Sequence, residues 1–204
     1  MSSWFDVRSF GEVFITLLVI MDPPGSVPVF LSLTGSYTRK ARNRSADLAV
    51  LTALTVIVAF ALFGQQVLQY LHVTLAALQV AGGLLLLLVA LELLMGWGND
   101  RAQKDDVNVS MVPLGTPLLA GPGAIAATIV FAKAVHHEPE ALALAAGIVA
   151  VHIVLWLTLR FSTVILRVLG RSGVSLVTRI AGLLLSSIAV QLAADGIAKF
   201  VAAH

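Results

Sequence analysis

Six times this chain runs through a stretch of about 20 residues or more that is almost wholly apolar. The stretches cover roughly 9–36, 47–65, 74–97, 111–135, 140–160 and 174–197. One bilayer-spanning helix takes about 20 apolar residues. Six of them use about 120 of the 204 residues and leave little beyond ends and loops. The chain is 58% hydrophobic, enough to supply them, and only 12% charged. An ordinary soluble domain is about 25% charged. A water-soluble fold of this size cannot hide so much apolar surface. Disordered chains, nucleic-acid modules and soluble enzymes are therefore excluded. The longest polar interval, 98–108, is too short for a separate domain.

Two of the six stretches are interrupted near their middles. The first contains Met21-Asp22-Pro23-Pro24-Gly25-Ser26-Val27-Pro28, the fourth Leu119-Ala120-Gly121-Pro122-Gly123-Ala124-Ile125. Proline removes a backbone donor and clashes with the preceding turn, and glycine relaxes the chain. Each of these spans is therefore expected as two half-helices with irregular backbone between them. A bilayer tolerates such backbone only where protein or a water-filled cavity satisfies it.

The interruptions also match each other. Asp22–Val27 overlies Ala120–Ile125 at an offset of 98, and Gly83-Leu84-Leu85-Leu86 overlies Gly182-Leu183-Leu184-Leu185 at an offset of 99. At the second offset Glu92 falls on Gln191. This is the trace of an internal duplication, with one repeat at 1–98 and the other at 99–204. Each repeat holds three spans, an odd number, so the second must enter the membrane from the opposite face. The expected fold is an all-α membrane protein of six transmembrane helices, arranged as two inverted three-helix repeats with the first and fourth spans broken. That plan is frequent in secondary transporters.

The net charge of +2 carries no nucleic-acid signal; in a membrane chain the basic residues decide orientation. Arg39, Lys40, Arg42, Arg44, Arg101, Lys104, Arg160, Arg167, Arg171 and Arg179 fall on one side, and Arg8, Lys133 and Lys199 on the other. Ten against three places the odd-numbered loops in the cytoplasm and both termini outside. Trp4, Tyr37, Tyr70 and Trp97 stand near span ends, where interfacial aromatics belong. The opening MSSWFDVRSF has no basic n-region and reads as mature sequence. The chain has no cysteine, so single introduced cysteines can report topology. Cysteines at Ser3 and near His136 are expected to react with an impermeant thiol reagent from outside. One near Lys104 is expected to react only after permeabilisation. Inside-only labelling of either terminus would reverse the orientation.

The residues around the breaks resemble a known family. Met21–Pro28, continuing through Phe30-Leu31-Ser32-Leu33-Thr34, is similar to the first signature of the MarC family. Pro113-Leu114-Gly115-Thr116-Pro117-Leu118-Leu119-Ala120-Gly121-Pro122-Gly123-Ala124-Ile125 is similar to the second. These are bacterial and archaeal inner-membrane proteins, also grouped as the neutral amino acid transporter family. The resemblance covers essentially the whole chain. It departs at Ser26, where the family often has asparagine, and at Gly115-Thr116, where Ala-Ile is more usual. It implies a multi-pass protein of the cytoplasmic membrane and, for some members, transport of small neutral amino acids. A link to antibiotic resistance in the family's name does not establish drug transport.

Asp22 is the sharpest candidate for chemistry, because a charge mid-span costs about 2.5–3.5 kcal/mol. Two roles are open to it. It could take a substrate ammonium, a coupling cation or a proton, or it could cap the second half-helix. Ala120 stands at the matching place, so any acid function is not duplicated. The half-helix starts are the next candidates. Pro24, Gly25 and Ser26, with Gly121, Pro122, Gly123 and Ala124, frame backbone N–H groups suited to a carboxylate. The N–H groups of Gly25, Ser26 and Val27, and of Gly123, Ala124 and Ile125, are expected to be free. A plain kink bridged by neighbouring helices is the alternative.

Glu92 could gate the inner mouth, relay a proton or merely reach the interface. Gln191, its counterpart, and Gln79 read as helix–helix hydrogen-bond glue. Gln191 and Thr128 stay as gating or coupling candidates beside Glu92. His152 reads as interhelical bonding rather than a proton relay. His136 and His137 beside Glu138 match no strong metal spacing. Thr16, Ser32, Thr34, Thr116 and Thr128 flank the breaks, either lining a site or bonding their own backbone. No P-loop, HExxH or GxSxG occurs.

The expectation is a secondary transporter of glycine- or alanine-like neutral amino acids. It needs no cofactor, with H+ or Na+ as candidate coupling ions, and its partners are the substrate and the lipid bilayer. Efflux of another small solute or drug is a rival. So is a non-transporting scaffold or stress-sensing protein, which leaves the paired breaks unexplained. An intramembrane enzyme using Asp22 and Glu92 is a third.

Overall fold

The computed structural model describes residues 5–35, 37–95 and 119–202. Among them are seven α-helices and no strand. They are α1 (Val7–Met21), α2 (Pro23–Leu33), α3 (Arg39–Tyr70), α4 (Leu75–Met95), α5 (Pro122–Ala134), α6 (Glu138–Arg160) and α7 (Ser162–Ala202). Five segments are long and apolar enough to cross a membrane: Val7–Leu31, Arg39–Tyr70, Leu75–Met95, Glu138–Arg160 and Ser172–Ala202. Gly123–Ala134 is a shorter apolar helix. The first half of the fourth expected span, 111–118, lies outside the described residues, as does the repeat boundary at 98/99.

Local chemistry accounts for the helix ends. Asp6 caps α1, accepting from the Arg8 and Ser9 N–H groups and, at 2.6 Å, from the Ser9 hydroxyl. Ser9 above all, helped by the Arg8 N–H and charge, holds the Asp6 carboxyl below the usual range. Thr38 caps α3 through the Ala41 N–H. Arg42 reaches back to the carbonyls of Thr34 and Tyr37 at 3.5 and 3.4 Å, tying the end of α2 to the start of α3. A helix of 32 residues is about 48 Å long, more than the ~30 Å of hydrocarbon. The basic first turns of α3 therefore extend past the apolar layer.

The expected loop before the sixth span is instead helical. Residues 162–169 form helix up to Gly170, whose φ of 64° and ψ of 174° break α7 before its long apolar part. Glycine takes that left-handed φ without the penalty of a Cβ.

One stripe of each long helix is buried and the rest faces outward. On α6 the buried stripe is Ala143, Gly147, Ile148, Val151, His152, Leu155 and Leu159. Leu142, Val149 and Ile153 on the other side are about half exposed. Apolar surface exposed on that scale is what a lipid-facing helix requires.

Two polar contacts show which helix ends lie together. Trp156 Nε1 donates to Asp47 at 2.7 Å, and Arg160 lies 3.6 Å from the same carboxylate. The start of α3 and the end of α6 thus share one end of the bundle. Lys199 donates to Gln79 at 3.3 Å, joining the end of α7 to the start of α4.

α4 and α7 pack closely and antiparallel. Their contacts are reciprocal. A Cβ on Gly83 would stand 2.7 Å from the Ala189 carbonyl, and one on Gly182 3.1 Å from the Ala90 carbonyl. Gly83 and Gly182 are counterparts at the offset of 99, and so are Ala90 and Ala189. The buried cluster between the helices is Leu86, Ala90, Leu185 and Ala189, the second of these pairs again and one further matched pair, Leu86 and Leu185. Such exchange of partners is how a two-fold relation between surfaces reads at residue level. Small residues let the backbones approach, as at membrane helix crossings generally.

Candidate functional site

The first break is a single residue. Asp22 ends α1 and begins α2 with φ 39° and ψ 69°, the left-handed region. A non-glycine residue stays there only when its surroundings hold it. Its N–H donates to the Leu18 carbonyl at 3.1 Å, and its carbonyl accepts from Ser26 N–H at 3.0 Å. The chain thus leaves one helix and enters the next without an intervening loop.

The side chain does not do what its position allows. Asp22 sits at an N-cap but makes no capping hydrogen bond. The residue is 6% exposed, and neither carboxylate oxygen has a hydrogen-bond partner among the described residues. The carboxylate instead lies over Gly25, where a Cβ would collide with it. Thr178 Oγ1, from α7, lies 3.1 Å from that same Cβ position, and it too is buried without a partner. Unpaired oxygens from two helices therefore come together beside Gly25. The Ser26 hydroxyl turns the other way, toward the carbonyls of Asp22 and Met21 at 3.1 and 3.3 Å.

The second break is built differently. Gly121 is the N-cap of α5 with extended backbone, and Pro122 occupies the first turn, where its missing N–H is harmless. Ile125 N–H donates to the Gly121 carbonyl at 3.1 Å. The N–H groups of Gly123 and Ala124 come before that first bond and have no carbonyl within α5 to meet. Both residues are buried. Leu86 of α4 occupies the space where a Gly123 side chain would be. Leu119, Ala120 and Ala124 share one contiguous core cluster with Met21, so both breaks border the same packed interior.

These observations correct the expected donors. α2 begins at Pro23, so Ser26 N–H is already bonded, and Ile125 N–H is bonded at the other break. The free set shrinks to Gly25 at the first break and Gly123 and Ala124 at the second. The Asp22 carboxylate lies beside the first. Helix-start N–H groups thus lie at the second break and the acid at the first.

The remaining candidates are dispersed. Thr128 is fully buried and donates to the Ala124 carbonyl at 2.7 Å, and Thr34 does the same to Phe30. Both bond their own backbone. Thr16 is half-buried on α1. Gln79 behaves as glue through Lys199. Gln191 does not: it is exposed and donates to Asp195 of its own helix at 2.7 Å. His152 bonds its own helix, Nδ1 to the Ile148 carbonyl at 2.7 Å, and its buried ring also faces the Ala53 backbone of α3, in keeping with a role between helices. Glu92 is half-buried on α4. Thr116 lies outside the described residues. Thr178 and Leu86 are additions. Their only sequence marks are a hydroxyl and a leucine within apolar runs, which single out neither.

The two break glycines should respond oppositely to a methyl group. Gly25→Ala forces the Asp22 carboxylate and the Thr178 hydroxyl apart, and should cost at least tenfold in whatever activity depends on Asp22. At Gly121 a Cβ meets nothing within 4 Å and φ is −64°. Gly121→Ala should leave stability within about 0.5 kcal/mol. Thermal denaturation of both variants, alongside the activity measurement below, checks the contrast.

A cavity of about 480 Å³ opens at the bundle end shared by Gln79 and Lys199, lined by Leu75, Ala76, Val130, Lys133, His136 and Lys199 among others. Two of the three basic residues on the minority side meet there.

Comparison with known proteins bears on the whole chain. The model of the MarC family of integral membrane proteins matches residues 7–201. A UPF0056 membrane protein of Methanocaldococcus jannaschii is 37% identical over 94% of this chain and 97% of its own. One from Aquifex aeolicus is 34% identical over 92% of both chains. The UPF0056 membrane protein YhcE of Escherichia coli is 31% identical over 96% and 94%. No solved structure matches. With the apolar helices, the broken first span and a match from end to end, the chain belongs to the MarC family of multi-pass integral membrane proteins, found in bacteria and archaea.

Proposed function

We propose that this protein is a secondary transporter of small neutral amino acids, resembling glycine or alanine. One observation carries the reading: the two breaks bordering one core are chemically opposite, an unpaired acid at Asp22 and, at Gly123 and Ala124, N–H groups that precede the first bond of α5. A zwitterion needs both kinds of partner. Its carboxylate is assigned to the start of α5, where the helix dipole adds positive character. Its ammonium, or a coupling cation, is assigned to Asp22 and the end of α1, where the dipole is negative. Lys133, Lys199 and His136 around the outer cavity draw the carboxylate inward.

The architecture in this reading is six spans in two inverted repeats, 1–98 and 99–204, in the cytoplasmic membrane with both termini external. The reciprocal packing of α4 and α7 supports it, as does the charge bias. Alternating access then consists of one repeat rocking against the other about the breaks. Glu92 near the inner end of α4 is the candidate inner gate. Proteoliposomes carrying purified protein test the reading against a panel of labelled amino acids. Saturable uptake of glycine or alanine, competed by the other, is the expected result. If no amino acid is bound or moved, the reading fails, and efflux of another solute or a scaffold role takes its place.

A further inference from the structure

We propose that Asp22, Thr178 and the last carbonyls of α1 form a binding site for a bare monovalent cation, Na+. The inference deepens the transport reading by naming the ion and the second helix that holds it. It rests on that reading only for the use to which the ion is put.

The argument begins with the two prolines. In a continuous helix the carbonyls of Val19 and Ile20 would accept from the N–H groups of residues 23 and 24. Those residues are Pro23 and Pro24, which have none. The end of α1 therefore directs two carbonyls toward the break with no helical donor to meet them. The dipole of α1 adds negative character at the same place.

Asp22 adds a carboxylate that is 6% exposed and whose two oxygens have no partner. A buried charge left without a counter-charge is strongly unfavourable. A full positive charge beside it removes that penalty, and a single backbone N–H does not. Thr178 supplies a third type of oxygen from a different helix. Both it and the carboxylate lie within 3.1 Å of the one point where a Gly25 Cβ would stand. Its hydroxyl can accept as well as donate, so it can turn a lone pair toward a cation. The threonine packs against α2 from the long apolar part of α7, so the site joins segments of the two sequence repeats.

The donor set decides the ligand class. It is all oxygen, with carboxylate, hydroxyl and carbonyl together, which suits a hard cation. No imidazole joins it, and cysteine is absent from the chain. The polar atoms expose almost no surface, and a bare ion asks for less room among them than a substrate ammonium does. One carboxylate balances one positive charge, which favours a monovalent over a divalent ion.

The test uses the purified full chain and Na+ alone, with no amino acid present. Binding of radiolabelled Na+ is measured on the unaltered protein and on the Asp22→Asn, Thr178→Val and Thr178→Ser variants. The expected result is saturable binding of one Na+ per chain, not competed by choline. Thr178→Ser should bind like the unaltered protein. Thr178→Val should bind roughly tenfold more weakly, as expected when one neutral ligand is lost. Asp22→Asn should bind at least a hundredfold more weakly. Thermal stability should rise with Na+ in the unaltered protein and not in Asp22→Asn. Absence of Na+ binding by the unaltered protein overturns the proposal, whatever the variants do. Equal binding by Thr178→Val and the unaltered protein overturns the role of Thr178. If stability follows pH and ignores Na+, Asp22 is a proton site and the sodium assignment is wrong. Amino acid uptake that proceeds without Na+ leaves the transport reading standing while this one falls. Na+ binding without uptake of any amino acid does the reverse.

Discussion

Asp22→Asn should reduce amino acid uptake by roughly 30- to several-thousand-fold while leaving the protein folded. The range corresponds to about 2–5 kcal/mol for removing one charged partner from a buried pair. Asparagine keeps the size of the side chain, adapts to left-handed backbone and can cap a helix. The structure sharpens the comparison. The Asp22 side chain makes no capping bond, so the substitution removes charge without removing a cap. It also relieves an unpaired buried carboxylate, so thermal stability in the absence of substrate and Na+ should hold or rise. A loss of uptake together with unchanged or higher stability is the signature of a functional acid. Normal uptake across a sodium and pH series would make the charge dispensable.

Gly83→Val should be the most damaging glycine substitution at a helix crossing. A Cβ there lies 2.7 Å from the Ala189 carbonyl oxygen and 2.8 Å from the Ala193 nitrogen. Both are backbone atoms of α7, which cannot swing aside as a side chain can. Overpacking of this kind costs about 1–3 kcal/mol or more. For a chain of this length each kcal/mol lowers the melting temperature by about 2–4 °C. At Gly182 the nearest atoms are Leu93 Cβ at 3.0 Å and the Ala90 carbonyl at 3.1 Å, so Gly182→Val should cost less. Gly11 has nothing within 4 Å, and Gly11→Val should cost least. Thermal unfolding of the detergent-purified variants gives the ranking. A Gly83→Val variant as stable as Gly11→Val would remove the close α4–α7 crossing from the fold.

Much of the architecture was legible because bilayer physics acts on single stretches of sequence. Length and hydropathy mark each span by itself, and the Pro and Gly residues mark the breaks by themselves. The start of α2 was misplaced by a local subtlety: proline is a good first residue, so the helix begins at Pro23 and Ser26 N–H is already used. Residues 162–169 read as a loop because Arg160, Arg167 and Arg171 interrupt the hydropathy, yet Gly170 is the break and the residues before it are helical. The candidate site was half legible. Asp22 announces itself as an acid in an apolar run. Thr178 does not, because its relation to Gly25 exists only once α7 packs on α2, and no local pattern encodes that. Gly123 was expected to offer a free N–H group; in the fold it also makes room for Leu86, a neighbour that sequence alone could not supply.

Leu86 belongs to the matched cluster between α4 and α7 and at the same time rests on Gly123 at the head of α5. It therefore works like a pawl against a tooth. A leucine side chain occupies staggered rotamers separated by barriers, not a continuum. α5 cannot slide past α4 here by small degrees, because the methyl group already fills the notch that the missing Cβ leaves. Displacement at this crossing must come in steps, each matched to a change of rotamer at a single side chain.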